Sequence, residues 1–82
     1  MIKIEEARKI LGRTYTTEFG GMTFHYKPVN LLLDVSTTEE KYEFFALLAV
    51  MNKDGKVIKN DNTLYDAQTF VEEIEKGNLK QV

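Results

Sequence analysis

The chain has no cysteine, one proline, one histidine and no apolar run as long as a membrane span. Without cysteine there is no disulfide framework and no thiolate metal site. The short apolar runs indicate that no transmembrane helix is present, and no signal-peptide pattern is visible. Because Met1-Ile2-Lys3 leads directly into a helix-like segment, we expect an unprocessed cytoplasmic protein.

Length and composition predict one small soluble domain that spans residues 1–82. The hydrophobic fraction of 43% is close to the globular norm, which argues against disorder. The net charge of −2 argues against a general nucleic-acid binder. Residues 1–28 carry five basic and three acidic side chains, whereas residues 29–82 carry six and ten. Such unevenness can mark a partner surface, although small domains are often uneven in charge.

The segment from Arg13 to Lys27 predicts a β-hairpin, because two β-rich runs flank Gly20-Gly21. Counting outward from the glycines gives the pairs Tyr15–Tyr26, Thr16–His25, Thr17–Phe24, Glu18–Thr23 and Phe19–Met22. One face of this ribbon is apolar and holds Tyr15, Thr17, Phe19, Met22, Phe24 and Tyr26. The other face is polar and holds Thr14, Thr16, Glu18, Thr23, His25 and Lys27. We expect the rest of the chain to cover the aromatic face, because an isolated hairpin is marginal in water.

The segments on either side of the hairpin predict a helix and a third strand. Apolar residues recur at helical spacing from Ile2 to Leu11, and Gly12 stands where a C-cap glycine belongs. Pro28 is expected to end the second strand, because proline cannot donate a hydrogen bond to the ladder. The alternation from Val29 to Val35 then predicts a separate third strand.

The apolar run from Phe44 to Met51 is consistent with two structures. Thr37 and Glu40 have capping-box spacing, and the run is rich in Ala, Leu and Met, so we expect a middle helix. The alternative is a strand from Tyr42 to Met51 that turns at Asn52-Lys53-Asp54-Gly55 and pairs with Lys56 to Lys59.

The C-terminal third predicts a short edge strand, a helix and a frayed tail. Val57-Ile58 forms the strand, and the N-cap candidates are Asn60-Asp61-Asn62-Thr63 and Asp66. The helix runs from Leu64 or Asp66 to Lys76, and Leu79 to Val82 is the tail. The expected fold is therefore α+β: a small antiparallel sheet of three to four strands with N-terminal, middle and C-terminal helices.

Candidate chemistry is sparse, and we expect no enzyme, no cofactor and no metal. His25 has no visible nucleophile or metal partner. The oxygen-bearing residues Asp54, Asn60, Asp61, Asn62 and Asp66 do not match a calcium loop, and turns and caps explain them better. Three glutamates on one helix, Glu72, Glu73 and Glu75, are typical of a solvated face.

The organisation from Leu11 to Ile74 resembles small virion-morphogenesis proteins of tailed phages of Gram-positive bacteria, notably tail-assembly chaperones. The shared features are a Gly-Gly ribbon that ends in Phe-x-x-Lys-Pro, an acidic-led helix, an apolar run closed by Asp54-Gly55-Lys56, and a step rich in Asp and Asn before a short helix. The N-terminal helix departs from that group, and no site residue is carried over. The resemblance implies a phage or mobile-element protein that works by binding other proteins.

Three functions follow from these features. The first is a non-enzymatic protein-binding module, an assembly or adaptor factor whose partner is another protein or a second copy of the chain. The second is an acidic inhibitor of a host nucleic-acid-binding protein, and the third is a single-stranded nucleic-acid binder that uses the hairpin aromatics. We expect no membrane partner, and nucleic acid is the less favoured ligand. The predicted partner surface consists of Thr16, Glu18, Thr23, His25, Glu72, Glu73 and Glu75.

Overall fold

The computed structural model describes residues 3–36, 38 and 41–82. These residues form a small α+β fold with five strands and two helices. In chain order they are α1 (Ile4–Lys9), β1 (Tyr15–Phe19), β2 (Met22–Asp34), β3 (Lys41–Met51), β4 (Val57–Asp66), α2 (Ala67–Glu75) and β5 (Lys80–Gln81). The strands form one antiparallel sheet in the order β4-β3-β2-β1-β5. The expectation of three to four strands and three helices was therefore wrong in its counts.

The hairpin of β1 and β2 has the predicted register, from Tyr15 opposite Tyr26 to Phe19 opposite Met22. Gly20 and Gly21 both have positive φ, of 61° and 77°, as a two-residue hairpin turn requires. The backbone register therefore confirms the predicted division of the hairpin into an aromatic face and a polar face.

Pro28 does not end the second strand, because β2 continues from Met22 to Asp34. The Pro28 carbonyl oxygen accepts a hydrogen bond of 2.7 Å from the Gly12 amide, on the side away from β3. The N and C=O of one residue in a strand point to the same side, so the missing N–H costs no β2–β3 hydrogen bond. A bulge between Pro28 and Asn30 then lets the strand run on.

The expected middle helix is absent, and the alternative strand is correct: β3 covers Lys41–Met51. Its two neighbours decide this, because β2 pairs along one side of it and β4 along the other. Phe44, Ala46 and Val50 are buried on one face of β3, and Leu47 is exposed on the other. The proposed capping pair, Thr37 and Glu40, lies outside the described residues.

The last third of the chain is more ordered than expected. The predicted short strand extends to Asp66, so Asn60-Asp61-Asn62-Thr63 lie within β4 and do not cap a helix. Asp66 is the N-cap of α2, since its Oδ2 accepts 3.0 Å and 2.8 Å hydrogen bonds from the amide and hydroxyl of Thr69. The predicted frayed tail is wrong, because Leu79 is buried and β5 pairs with β1.

Both helices pack on one face of the sheet. The core there consists of Ala7, Tyr15, Phe44, Ala67, Phe70 and Leu79. Helix α1 is shorter than the predicted Ile2–Leu11, whose first residue lies outside the described ranges. Neither helix in the described ranges has the length and apolar character needed to cross a membrane.

Candidate protein-interaction face

The face of the sheet opposite the helices is open. The pairing registers place on it the side chains of Thr16, Glu18, Thr23, His25, Lys27, Asn30, Leu32, Asp34, Lys41, Glu43, Phe45, Leu47, Ala49, Met51, Val57, Asn60, Asn62 and Leu64. We call this the open face. Among the described residues, no helix lies over it, because α1 and α2 contribute their buried side chains to the core on the other side.

An apolar stripe follows β3 along the middle of the open face. It consists of Leu32, Phe45, Leu47, Ala49, Met51 and Leu64. Leu47 is 43% exposed and Leu64 is 53% exposed, although both lie next to other apolar side chains. Leu64 stands directly opposite Phe45 in the β3–β4 ladder. A contiguous group of exposed apolar side chains on a small protein is typical of an interaction surface.

Polar side chains border the apolar stripe on both sides. Lys27 stands opposite Leu47 on β2, and Asn62 stands opposite it on β4. His25 and Asn60 flank Ala49 in the same way. An apolar centre inside a polar rim is the usual anatomy of a protein–protein interface.

The structure brings together the four predicted partner residues of the hairpin. Thr16 stands opposite His25, and Glu18 stands opposite Thr23, so all four belong to the open face. His25 and Thr23 lie next to the apolar stripe on β2, and Thr16 and Glu18 lie one strand further away on β1. The stripe itself was not predicted, because the favoured interpretation placed Phe44 to Met51 in a helix and kept the strand from Tyr42 to Met51 as the alternative. The signal that favours the strand is the turn at Asn52 to Gly55, which the alternative already included. The Asn52 side chain accepts hydrogen bonds there from the amides of Asp54 and Lys56, and the chain reverses direction.

The three predicted glutamates lie on α2, on the opposite side of the sheet. Glu72 accepts a 2.8 Å hydrogen bond from the Gln68 side-chain amide. Glu73 accepts a 2.7 Å hydrogen bond from the side-chain amide of Asn78. Glu75 is exposed. The predicted partner surface therefore divides into two separate groups.

A cleft of about 290 Å³ lies on the helix side, between α2 and the sheet. Its walls include the rings of Tyr26, Tyr65 and Phe70, and Asp66 and Glu73 also line it. Both carboxylates already have partners, Asp66 at the helix cap and Glu73 at Asn78. The polar groups of the cleft therefore support the local fold, and the cleft offers weaker grounds for a binding site than the open face does.

The hairpin aromatics do not form a base-stacking platform as a group. Tyr15 and Tyr26 contact the Phe70 ring edge-on, with centroids 5.7 Å and 6.3 Å apart. Phe19, at the tip of the hairpin, is 77% exposed. Of the four hairpin rings, Tyr15 and Tyr26 therefore pack in the core and only Phe19 and Phe24 remain for stacking, so the third hypothesis has fewer rings to use and stays a prediction.

The fold and the open face define a small α+β protein with one covered and one open sheet surface. Comparison of the chain with protein-family models, with curated proteins and with solved structures finds no match in any of the three. The resemblance to phage morphogenesis proteins therefore stays a prediction.

Proposed function

We propose that this chain is a non-enzymatic protein-binding module that presents the open face of its sheet to another protein. The observation that carries the proposal is the apolar stripe, in which Leu32, Leu47 and Leu64 remain exposed although the opposite face is covered by two helices. Burying such a stripe against a partner would contribute a favourable free energy of about 25 cal/mol per Å² of apolar surface removed from water, before the costs of association are subtracted.

The rim suggests how a partner is oriented. Lys27 and His25 stand on the β2 side of the apolar stripe, and uncharged Asn60 and Asn62 stand on the β4 side. A partner that places a carboxylate beside Lys27 gains a favourable contact there, since complementary charge at a rim adds specificity and association rate. An assembly or adaptor role fits this kind of surface, and the organisation shared with tail-assembly proteins of phages favours it over the other two hypotheses.

Leu47→Lys tests the proposal, because it puts a second positive charge next to Lys27 in the middle of the stripe. Phe19→Lys is the matched control, since it makes the same change at an exposed apolar residue outside the open face. A photo-reactive amino acid at position 47 first identifies the partner in the native cell, and binding is then measured with the purified partner.

We expect Leu47→Lys to weaken partner binding by about tenfold or more, equivalent to ~1.4 kcal/mol, and Phe19→Lys to leave it unchanged. Thermal unfolding of both variants should match the parent within about 1 kcal/mol, because both side chains are largely exposed. A partner that binds the Leu47→Lys protein with the parent affinity would contradict the proposal.

A further inference from the structure

Strand β4 forms one edge of the sheet and is ten residues long, from Val57 to Asp66. Within the described residues it pairs only with β3, so the N–H and C=O groups along its outer side have no strand partner. The other edge is different, because β5 covers the start of β1 there. Ile58 and Leu64 are each 53% exposed on the open edge. A long edge of this kind is a template for an additional strand.

Two opposite charges stand near the middle of this edge. Lys59 and Asp61 are two residues apart, so their side chains lie on the same face of the strand. Their charged atoms, Nζ and Oδ2, are 3.9 Å apart, and both side chains are more than half exposed. This segment therefore presents a positive and a negative group to any strand that pairs with it.

A second copy of β4 matches that charge pattern in one arrangement. Two identical neighbouring strands related by a two-fold axis perpendicular to the sheet run antiparallel. Side chains directly opposite each other in such a pair lie on the same face of the sheet. The axis must therefore pass between one residue and the same residue of the second copy. An axis at Asn60 places Lys59 opposite Asp61 of the second copy, and the same pair repeats by symmetry. An axis at Lys59 or at Asp61 places like charges opposite each other, which is unfavourable.

We propose that the chain forms a two-fold symmetric dimer in which β4 pairs antiparallel with β4 of a second copy around Asn60. The antiparallel ladder then continues outward, with Ile58 opposite Asn62 of the second copy. Ile58 is also the position at which the β3–β4 register shifts, between Val57 and Lys59. This dimer uses the edge and leaves the apolar stripe of the open face free, so it does not depend on the proposed partner of that face.

The absence of native cysteine makes the register directly testable. In the proposed dimer the two copies of residue 60 face each other across the axis, about 5 Å apart between Cα atoms, within disulfide range. Asn60→Cys should therefore form a disulfide-linked dimer under mild oxidation. Asn62→Cys is the matched control, because it faces Ile58 and should remain unlinked. Linking at 62 in preference to 60 would overturn the register.

Charge exchange tests the ion pairs without relying on the folding of one variant. Lys59→Glu and Asp61→Lys each place like charges opposite each other across the axis, and each should weaken the dimer by at least ~tenfold in light scattering. Mixing the two variants restores both cross-strand pairs and should restore the dimer. The pair within each chain stays broken in the mixture, so a recovered dimer reports on the contact between copies.

Lys53→Glu makes the same charge change at the turn before β4, and this variant should remain dimeric. A parent protein that is monomeric at the highest soluble concentration would overturn the inference, as would a mixture of the two charge variants that stays monomeric. Leu47→Lys should remain dimeric, and Lys59→Glu should still bind the partner of the open face. Failure of one proposal is therefore distinguishable from failure of the other.

Discussion

Phe70 of α2 contacts one aromatic ring from each of the four long strands. Its ring centroid lies 5.7 Å from Tyr15, 6.3 Å from Tyr26, 5.5 Å from Phe44 and 5.9 Å from Tyr65. Most of these contacts are edge-to-face, the arrangement that aromatic quadrupoles favour. Only 3% of Phe70 is exposed, and its ring contacts connect the helix to four of the five strands.

Phe70→Ala should therefore lower the free energy of unfolding by about 3–5 kcal/mol, since it leaves a cavity between four rings. Phe19→Ala is the control, because that ring lies at the exposed hairpin tip, and it should cost no more than about 0.5 kcal/mol. Urea unfolding of the two variants measures both values. Equal losses would show that the aromatic core is not centred on α2.

Burial raises the pKa of Tyr65 above its ordinary value, and a hydrogen bond with the Tyr26 hydroxyl raises it further. The folded protein thus holds this proton more tightly than the unfolded chain does. The resulting stability is complete below the unfolded pKa of about 10 and is lost as the pH rises toward the folded pKa.

Tyr65→Phe should consequently show a shallower loss of stability than the parent between about pH 9 and about pH 11. At neutral pH it should cost about 1 kcal/mol, because a hydrogen bond with Tyr26 is removed. Urea midpoints measured across this pH range provide the comparison. A variant whose alkaline decline is as steep as that of the parent would show that Tyr65 is not the group responsible.

At the scale of elements, the C-terminal segment is the part whose structure differs most from the one that its composition predicts. The four residues from Leu79 to Val82 contain one buried apolar side chain, and composition alone indicates a loose tail. In the fold, Leu79 enters the core, Lys80 and Gln81 pair with β1, and the Val82 amide donates a 2.9 Å hydrogen bond to the Thr14 carbonyl. The tail therefore closes one edge of the sheet.

Leu79→Ala should destabilise the protein by about 2–3 kcal/mol, in the range of core leucine truncations. Val82→Ala removes a largely exposed side chain from the same segment and should have an effect within about 0.5 kcal/mol. Amide exchange at residues 80–82 gives a second readout, and it should accelerate in Leu79→Ala before global unfolding. Unchanged stability in Leu79→Ala would mean that the segment is not docked in solution.

The whole molecule is elongated, with extents of 44 × 23 × 21 Å, and its sheet has two unlike faces. One face is covered by both helices and holds the aromatic core. The other carries the apolar stripe, and the outer edge of β4 lies beside it. A single layer of helices is enough to bury one face of a sheet, so the other face of this sheet is left open.

The sequence by itself determined the structures whose signals are local. A two-residue hairpin turn needs positive φ at both positions, and Gly20 and Gly21 supply it. Together with the strict alternation of apolar and polar residues on either side, this turn determined the hairpin register. The helix after Asp66 followed from a cap and an apolar stripe within one short segment. The polar face of the hairpin, with Thr16, Glu18, Thr23 and His25, followed from the same alternation, and its role as a partner surface stays a prediction.

Only the tertiary structure decided the remaining features. Every residue from Phe44 to Met51 is apolar, so the periodicity of this segment cannot distinguish a helix from a strand. Pairing with β2 on one side and β4 on the other made the segment a strand. Pro28 fits within β2 because its nitrogen points away from β3, toward Gly12, where no strand in the described residues needs its hydrogen bond. The apolar stripe and the open edge of β4 depend on those non-local pairings, because only the sheet brings residues far apart in sequence onto one face.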